Sequence, residues 1–188
     1  IYLALGDRQE GAMLLGFGPC VMTGTPVALR SSFSARAFWP DVRRTRATAM
    51  LYIGELCRYL LGTKEVPEER DNTLRIAVGN GLRADLWEAF QTRFGITDIR
   101  EFYGATEAPG AVFNFTNRVG SVGRLPMRRL LPIKLVRYDV ASDTHPRGPD
   151  GLCIECGPGE VGEMVVVLKD NPLSAISEFR GYTDDEAT

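Results

Sequence analysis

Apolar and polar positions follow two rhythms along this chain. Up to about residue 115, short apolar runs of strand length alternate with stretches of helical spacing. Ile1 to Leu5 predicts a strand, and Glu10 to Met22, apolar but broken by glycines, predicts a buried helix ending at Thr23-Gly24. Thr25 to Arg30 predicts the next strand, with Pro26 tolerated near its start. Ser34 is placed to cap a helix running toward Arg46, in which Pro40 is expected to kink the helix or delay its start. Met50 to Leu61 has the clearest amphipathic pattern: Met50, Ile53, Leu56, Cys57, Leu60 and Leu61 fall at helical spacing, and Gly62 follows as a stop. Lys64 to Asn72, acidic and proline-containing, predicts a surface connection.

Leu74 to Val78 predicts a strand that runs into Gly79-Asn80-Gly81. A helix over Arg83 to Phe94 follows, with Leu86, Trp87, Phe90 and Phe94 on one side and Gly95 at its end. Ile99 to Phe102 predicts one more strand, leading into Tyr103-Gly104-Ala105-Thr106-Glu107. Alternating strands and helices imply a parallel sheet with flanking helices, an α/β fold. The rhythm then changes. Glycines and prolines punctuate short β-rich runs at Pro132 to Tyr138 and Met164 to Leu168, around a turn-rich stretch from Ser142 to Gly151. A boundary near Asn117 divides an α/β part, residues 1–116, from a smaller, mostly antiparallel β-rich layer, residues 117–188.

Composition removes several function classes. Over 188 residues, 22 Lys and Arg stand against 24 Asp and Glu. That balance argues against an electrostatic binder of nucleic acid or of an anionic membrane, so nucleic acid is not expected as a partner. No apolar run is long enough to span a bilayer, and no secretory signal is visible. The chain opens on Ile1 rather than Met, so both ends are expected to be cut edges of something longer. Cys20 and Cys57 lie in apolar runs, whereas Cys153 and Cys156 form one Cys-x-x-Cys pair. A structural zinc site needs a second such pair or nearby histidines, and His145 is the only histidine, so a turn or strand-edge role is expected. His145 itself falls in a turn rich in Pro and Asp, a poor setting for catalysis.

In parallel sheets, ligands bind beyond the carboxyl ends of the strands. Two segments have that layout. Gly79 and Gly81 let the backbone turn sharply and let a flat ligand approach it, and Asn80 adds an amide that both donates and accepts. A plain tight turn before a helix explains the same residues. In the second segment Tyr103 offers an aromatic face, Gly104 removes bulk, Thr106 supplies a hydroxyl, and Glu107 supplies a carboxylate suited to Mg²⁺. A strand-end turn with a helix cap is the plain alternative.

Taken together, the motifs resemble those of the adenylate-forming (AMP-binding) superfamily, and within it the fatty-acid transport protein and very-long-chain acyl-CoA synthetase branch. The likeness is carried by F-S-A-R-A-F-W at 33–39, Y-I-G-E-L-C-R-Y-L-L at 52–61, A-V-G-N-G-L-R at 77–83 and I-R-E-F-Y-G-A-T-E at 99–107. Supporting pieces are G-S-V-G-R at 120–124, G-L-C-I-E-C at 151–156, P-G-E-V-G-E at 158–163 and F-R-G-Y-T-D-D-E-A-T at 179–188. The resemblance implies part of the large domain of a ligase using ATP, Mg²⁺ and coenzyme A on a fatty acid. Gly79, Asn80 and Gly81 would line the adenine pocket, and Glu101, Phe102 and Tyr103 would pack around the nucleotide, with Gly104 and Ala105 beside them. Thr106 would bond the α-phosphate, Glu107 would hold Mg²⁺, and this pair would be the catalytic residues. Tyr52, Ile53 and Gly54 would lie along the acyl wall.

The resemblance further implies a cytoplasmic or membrane-associated parent, with possible peripheral attachment. Its phosphate-gripping loop would precede residue 1 and its catalytic lysine would follow residue 188, leaving this piece inactive by itself. Gly6-Asp7-Arg8-Gln9-Glu10 replaces the Pro-Leu-Tyr-His-Ser-like stretch of relatives, and Ala108-Pro109-Gly110 replaces a more polar continuation. Arg124, Arg128 and Arg129 form a basic cluster that reads first as a solvated loop, the alternative being a face toward CoA phosphates or a membrane. Two rival readings stand beside this one: a fatty-acid binding or uptake protein that has lost ATP chemistry, and a generic nucleotide-binding module.

Overall fold

Six short strands form one sheet in the order β2-β1-β3-β4-β5-β6 in the computed structural model, which describes residues 1–4, 16–104, 111–124 and 133–167. They are β1 (Tyr2–Ala4), β2 (Ala28–Arg30), β3 (Ala49–Ile53), β4 (Ile76–Asn80), β5 (Asp98–Gly104) and β6 (Ala111–Phe113). Between them run α1 (Gly18–Thr23), α2 (Ala35–Thr45), α3 (Gly54–Leu61) and α4 (Ala84–Phe94). β1 through β5 pair in parallel, so the alternation of strand and helix in the sequence has become the expected α/β layering.

The strand order reverses direction at β1. The chain steps from β1 out to β2, returns across β1 to β3, and then advances through β4 to β5. Right-handed crossovers therefore put α1 on one face of the sheet and α2, α3 and α4 on the other. The core lies under these three helices. Phe38, Trp39 and Val42 of α2, Cys57 and Leu60 of α3, and Trp87, Phe90 and Phe94 of α4 pack on Met50, Tyr52, Ala77 and Ile99 of the strands. Burial alternates along β3 and β4, as period-2 strands with one well-covered face require.

Several local outcomes differ from the sequence expectation. Met50 to Leu61 is a strand joined directly to a helix, because Met50 and Tyr52 alternate into the core as β3 before the chain turns at Gly54. The apolar run fits both periods, and pairing with β4 over Ala49–Ile53 decides for the strand. Pro40 does not delay α2, which begins at Ala35 behind a Ser34 cap and continues to Thr45. Burial of Phe38, Trp39 and Val42 around the proline outweighs the hydrogen bond it removes, which costs about 3 kcal/mol. The 64–72 connection is not all surface. Glu69, at the end of a 3-10 turn (Pro67–Glu69), is 3% exposed and pairs with Arg93 of α4 at 2.7 Å. Of the segment 10–22, the described part is helical from Gly18, and its earlier half lies outside the described residues.

The chain divides into two compact units, residues 1–103 with 113–124 and residues 104–112 with 125–188. In the second, β7 (Ile133–Arg137) and β8 (Gly162–Val166) form an antiparallel pair, the small β layer expected past the middle of the chain. Cys153 forms a bridge with Arg147, and the Cys156 N–H donates to the Leu135 carbonyl at 2.9 Å, so both cysteines occupy strand-edge positions. His145 Nε2 lies 2.5 Å from Glu163 Oε2 in the same unit. Among the described residues, no helix is long and apolar enough to cross a membrane.

Candidate functional site

β3, β4 and β5 run in the same direction, so their carboxyl ends open at one edge of the sheet. Ile53 pairs with Asn80, and Gly79 pairs with Glu101. The Tyr-Ile-Gly-Glu, Gly-Asn-Gly and Glu-Phe-Tyr-Gly segments are therefore neighbours at one rim. Gly79 and Asn80 belong to β4 itself, and Gly81 makes the turn with a φ of 75°, a left-handed conformation that favours glycine. Tyr103 is half exposed near the end of β5, and Gly104 beside it is exposed. Ala105, Thr106 and Glu107 lie outside the described residues, as do residues 6–10, Arg128, Arg129 and the segment 179–188.

Beneath the rim, one buried carboxylate joins the three strand ends. Glu101 is 3% exposed. Its Oε1 accepts the Tyr52 hydroxyl at 2.6 Å and the Leu82 N–H at 3.0 Å, and its Oε2 accepts the Gly81 N–H at 3.1 Å. Two successive backbone amides converging on an anion form a small nest, which compensates a charge that burial would otherwise make costly. Burial and then the Glu101 carboxylate push the Tyr52 phenol far above its ordinary value, so it stays a donor at every working pH. Cys57 is pushed upward as well, by burial first and then by the Glu101 charge.

Two glycines make this convergence possible. A Cβ on Gly54 would lie 1.8 Å from the Gly81 carbonyl oxygen. One on Gly79 would lie 2.1 Å from the Tyr52 carbonyl oxygen and 2.7 Å from its ring. The motif glycines thus let neighbouring backbones and a tyrosine ring approach closely, a role that sequence reasoning about ligand access did not reveal.

Tyr52, Ile53 and Gly54 do not share one surface. Tyr52 points into the core under α3 and α4, whereas Ile53, one residue on, belongs to the opposite face with Val78 and Asn80. That face carries an apolar groove of about 430 Å³ lined by Ile76, Val78, Phe102, Phe113 and Phe115, with Arg100 and Asn114 at its side. The Phe113 and Phe115 rings stack at 5.4 Å. Asn114 is 1% exposed and holds the following loop by donating to the Arg118 and Ser121 carbonyls, each at 2.7 Å. Sequence analysis missed this groove. Its signal was the alternation Phe113-x-Phe115 together with Ile76 and Val78 on the strand face away from the core.

Comparison with known proteins gives the family and the fold. The family model described as "AMP-binding enzyme" matches residues 11–168, and the chain belongs to that family. Among curated relatives, the chain is 44% identical to mouse long-chain fatty acid transport protein 3 over 184 residues, and 39% identical to rat long-chain fatty acid transport protein 2. These matches cover 97% of the chain but only 27% and 29% of the relatives, so the chain spans little more than a quarter of their length. Among solved structures, O-succinylbenzoate coenzyme A synthetase from Bacillus subtilis in complex with AMP has a TM-score of 0.59 at 22% identity, over 87% of this chain and 31% of that one. ATP-bound MatB from Rhodopseudomonas palustris reaches 0.63 at 16% identity, over 87% and 30%. At those identities the solved structures speak to the fold, which they share with this chain.

Proposed function

We propose that the full-length protein containing this chain is an ATP-dependent fatty acid–CoA ligase, and that the rim of β3, β4 and β5 is part of its nucleotide and acid site. The observation that carries this reading is the placement of Gly79-Asn80-Gly81 and Tyr103 on adjacent parallel strand ends in a chain of the AMP-binding enzyme family. A flat base fits such a rim. The turn carries no side chain except Asn80, a Cβ at Gly81 would meet nothing nearer than 3.9 Å, and the Tyr103 ring is half exposed. Asn80 has the amide groups to read a base edge, and the aromatic face of Tyr103 stacks on it. Phe102 and Gly104 complete the rim on β5.

By resemblance, Ala105 belongs to the same segment, Thr106 would donate to the α-phosphate, and Glu107 would hold Mg²⁺. The metal, when bound, neutralises phosphate charge so that two anions can meet. In the first half-reaction a fatty carboxylate oxygen attacks the α-phosphorus, and the bond to the bridging oxygen of pyrophosphate breaks with its electron pair. In the second, the thiolate of coenzyme A attacks the acyl carbon and AMP leaves. The acyl chain lies on the sheet face of Ile53, where the phenylalanine-lined groove offers apolar surface, while Gly54 gives its space to the Gly81 backbone. Tyr52 stands behind that wall, in the core. Relatives named long-chain fatty acid transport proteins support a long-chain acid as substrate, and peripheral membrane association of the full-length protein belongs to the same proposal.

Fatty-acid-dependent exchange of labelled pyrophosphate into ATP by the full-length protein tests the reading. Exchange that requires a long-chain acid supports it. Tight fatty-acid binding with no exchange at any chain length favours a binding or uptake protein instead.

A further inference from the structure

We propose that Tyr52 and Glu101 act as a positioning pair that fixes the nucleotide turn from beneath, so that the end of β3 governs how tightly ATP is held. This rests on the ligase reading for its ligand, but the evidence for the pair is separate. Glu101 takes its hydrogen bonds from the Tyr52 hydroxyl on β3 and from the consecutive Gly81 and Leu82 N–H groups of the turn after β4, two separate stretches of chain. The same tyrosine ring packs against Gly79, where any side chain would collide with it. Both neighbours of Asn80 are therefore set by this pair: Gly79 by the ring, Gly81 by the carboxylate. Asn80 is the one residue of the turn with a side chain, and its backbone has little freedom left.

The direction of the contacts matters as much as their number. The Gly81 and Leu82 amides point inward to Glu101, which leaves the outer surface of the turn to a ligand. The Tyr52 hydroxyl supplies the one side-chain donor in the set, and it never ionises in the working range because burial and the adjacent carboxylate both oppose it. Without that hydroxyl, Oε1 retains a single donor, the Leu82 N–H. The carboxylate, still held by the Gly81 and Leu82 N–H groups, then loses the bond that ties it to β3, and the turn is less firmly fixed. Hydrogen bonds to a charged group are the stronger kind, so losing one shifts the population of correctly shaped turns substantially. Tyr52 thereby acts on ATP without touching it.

Equilibrium binding of ATP and of GTP to the full-length protein, with steady-state kinetics beside it, tests the pair in Tyr52→Phe and Glu101→Gln. Tyr52→Phe is expected to weaken ATP binding about tenfold and to narrow the preference for ATP over GTP. The loss should appear in the KM for ATP rather than in kcat or in the KM for the fatty acid. Glu101→Gln should be worse, since its amide can present a donor to the Gly81 or Leu82 N–H. In the double variant the two losses should be far from additive. Unchanged nucleotide affinity, or a rise confined to the fatty-acid KM, would overturn the proposal. So would a fall in melting temperature with nucleotide affinity and selectivity intact, which marks a brace for the fold only. Nucleotide binding that weakens as described in a protein without fatty-acid-dependent exchange would sustain the pair and remove the ligase reading.

Discussion

Replacing Gly54 by alanine is the sharpest test of how the strand ends fit together. The added Cβ would stand 1.8 Å from the Gly81 oxygen and 2.3 Å from its carbonyl carbon. An ordinary carbon–oxygen contact is about 3.3 Å, so the β3–α3 junction and the turn must separate by about 1.5 Å. The obstacle is backbone, which has no rotamer to escape into. Such a shift carries the Gly81 N–H, now 3.1 Å from Glu101 Oε2, out of hydrogen-bond range. Overpacking of this kind costs about 1–3 kcal/mol and the lost charge-assisted bond about 1.5–3 kcal/mol, so about 3 kcal/mol or more in all. For a domain of this size that lowers the melting temperature by about 6–12 °C. Gly95→Ala is the control. Gly95 has a φ of 71°, but a Cβ there would meet nothing within 4 Å, so alanine feels only the left-handed strain of about 1–2 kcal/mol. Calorimetric melting of the two variants compares them directly. A Gly54→Ala protein as stable as Gly95→Ala would refute the close approach of the two backbones.

Three further outcomes follow from the same geometry. Arg93→Met should destabilise by about 3–5 kcal/mol in denaturant titration, because it strands the buried Glu69 carboxylate and the Leu61 and Thr63 carbonyls that Arg93 now serves; Glu69→Gln in the same background should recover part of the loss. Burial alone would raise the Asp41 pKa, but hydrogen bonds and charge from Arg44 and Arg30 outweigh it and hold the carboxyl below its usual value. A carboxyl depressed on folding adds stability above its unfolded pKa of about 3.9 and loses it as pH falls through the lower folded value; Asp41→Asn should therefore flatten the acid limb of a stability–pH curve, and an unaltered limb would contradict this. In alkylation of the native protein followed by peptide mapping, the half-exposed Cys153 and Cys156 should react while Cys57, buried and with its thiol pushed upward, stays unlabelled until the protein unfolds.

Much of this was legible in the sequence wherever one period dominated. α4 announced itself through Trp87, Phe90 and Phe94 at helical spacing with Gly95 as its stop, and the glycine-flanked strand ends marked the rim. Reading failed where two periods fitted the same residues. Met50 to Leu61 is apolar at helical spacing and also alternates, and only the neighbouring strand decides between them. Pattern was equally silent about partners distant in sequence. Glu101 looked like a residue beside a ligand, yet its carboxylate is taken up by Tyr52, which lies 49 positions earlier, and by the amides of the turn. Glu69 looked like part of an acidic surface loop, yet Arg93 folds over it. Charge and glycine show where chemistry is possible, and long-range pairing determines which face each group presents.

The central claim places the nucleotide at the ends of β4 and β5. Photolabelling the full-length protein with 8-azido-ATP, followed by peptide mapping, addresses it most directly. The account predicts label within residues 79–83 or 101–104, lost when excess ATP is present. Label that ATP protects but that maps to the β7–β8 unit, with both strand ends unmarked, would contradict it.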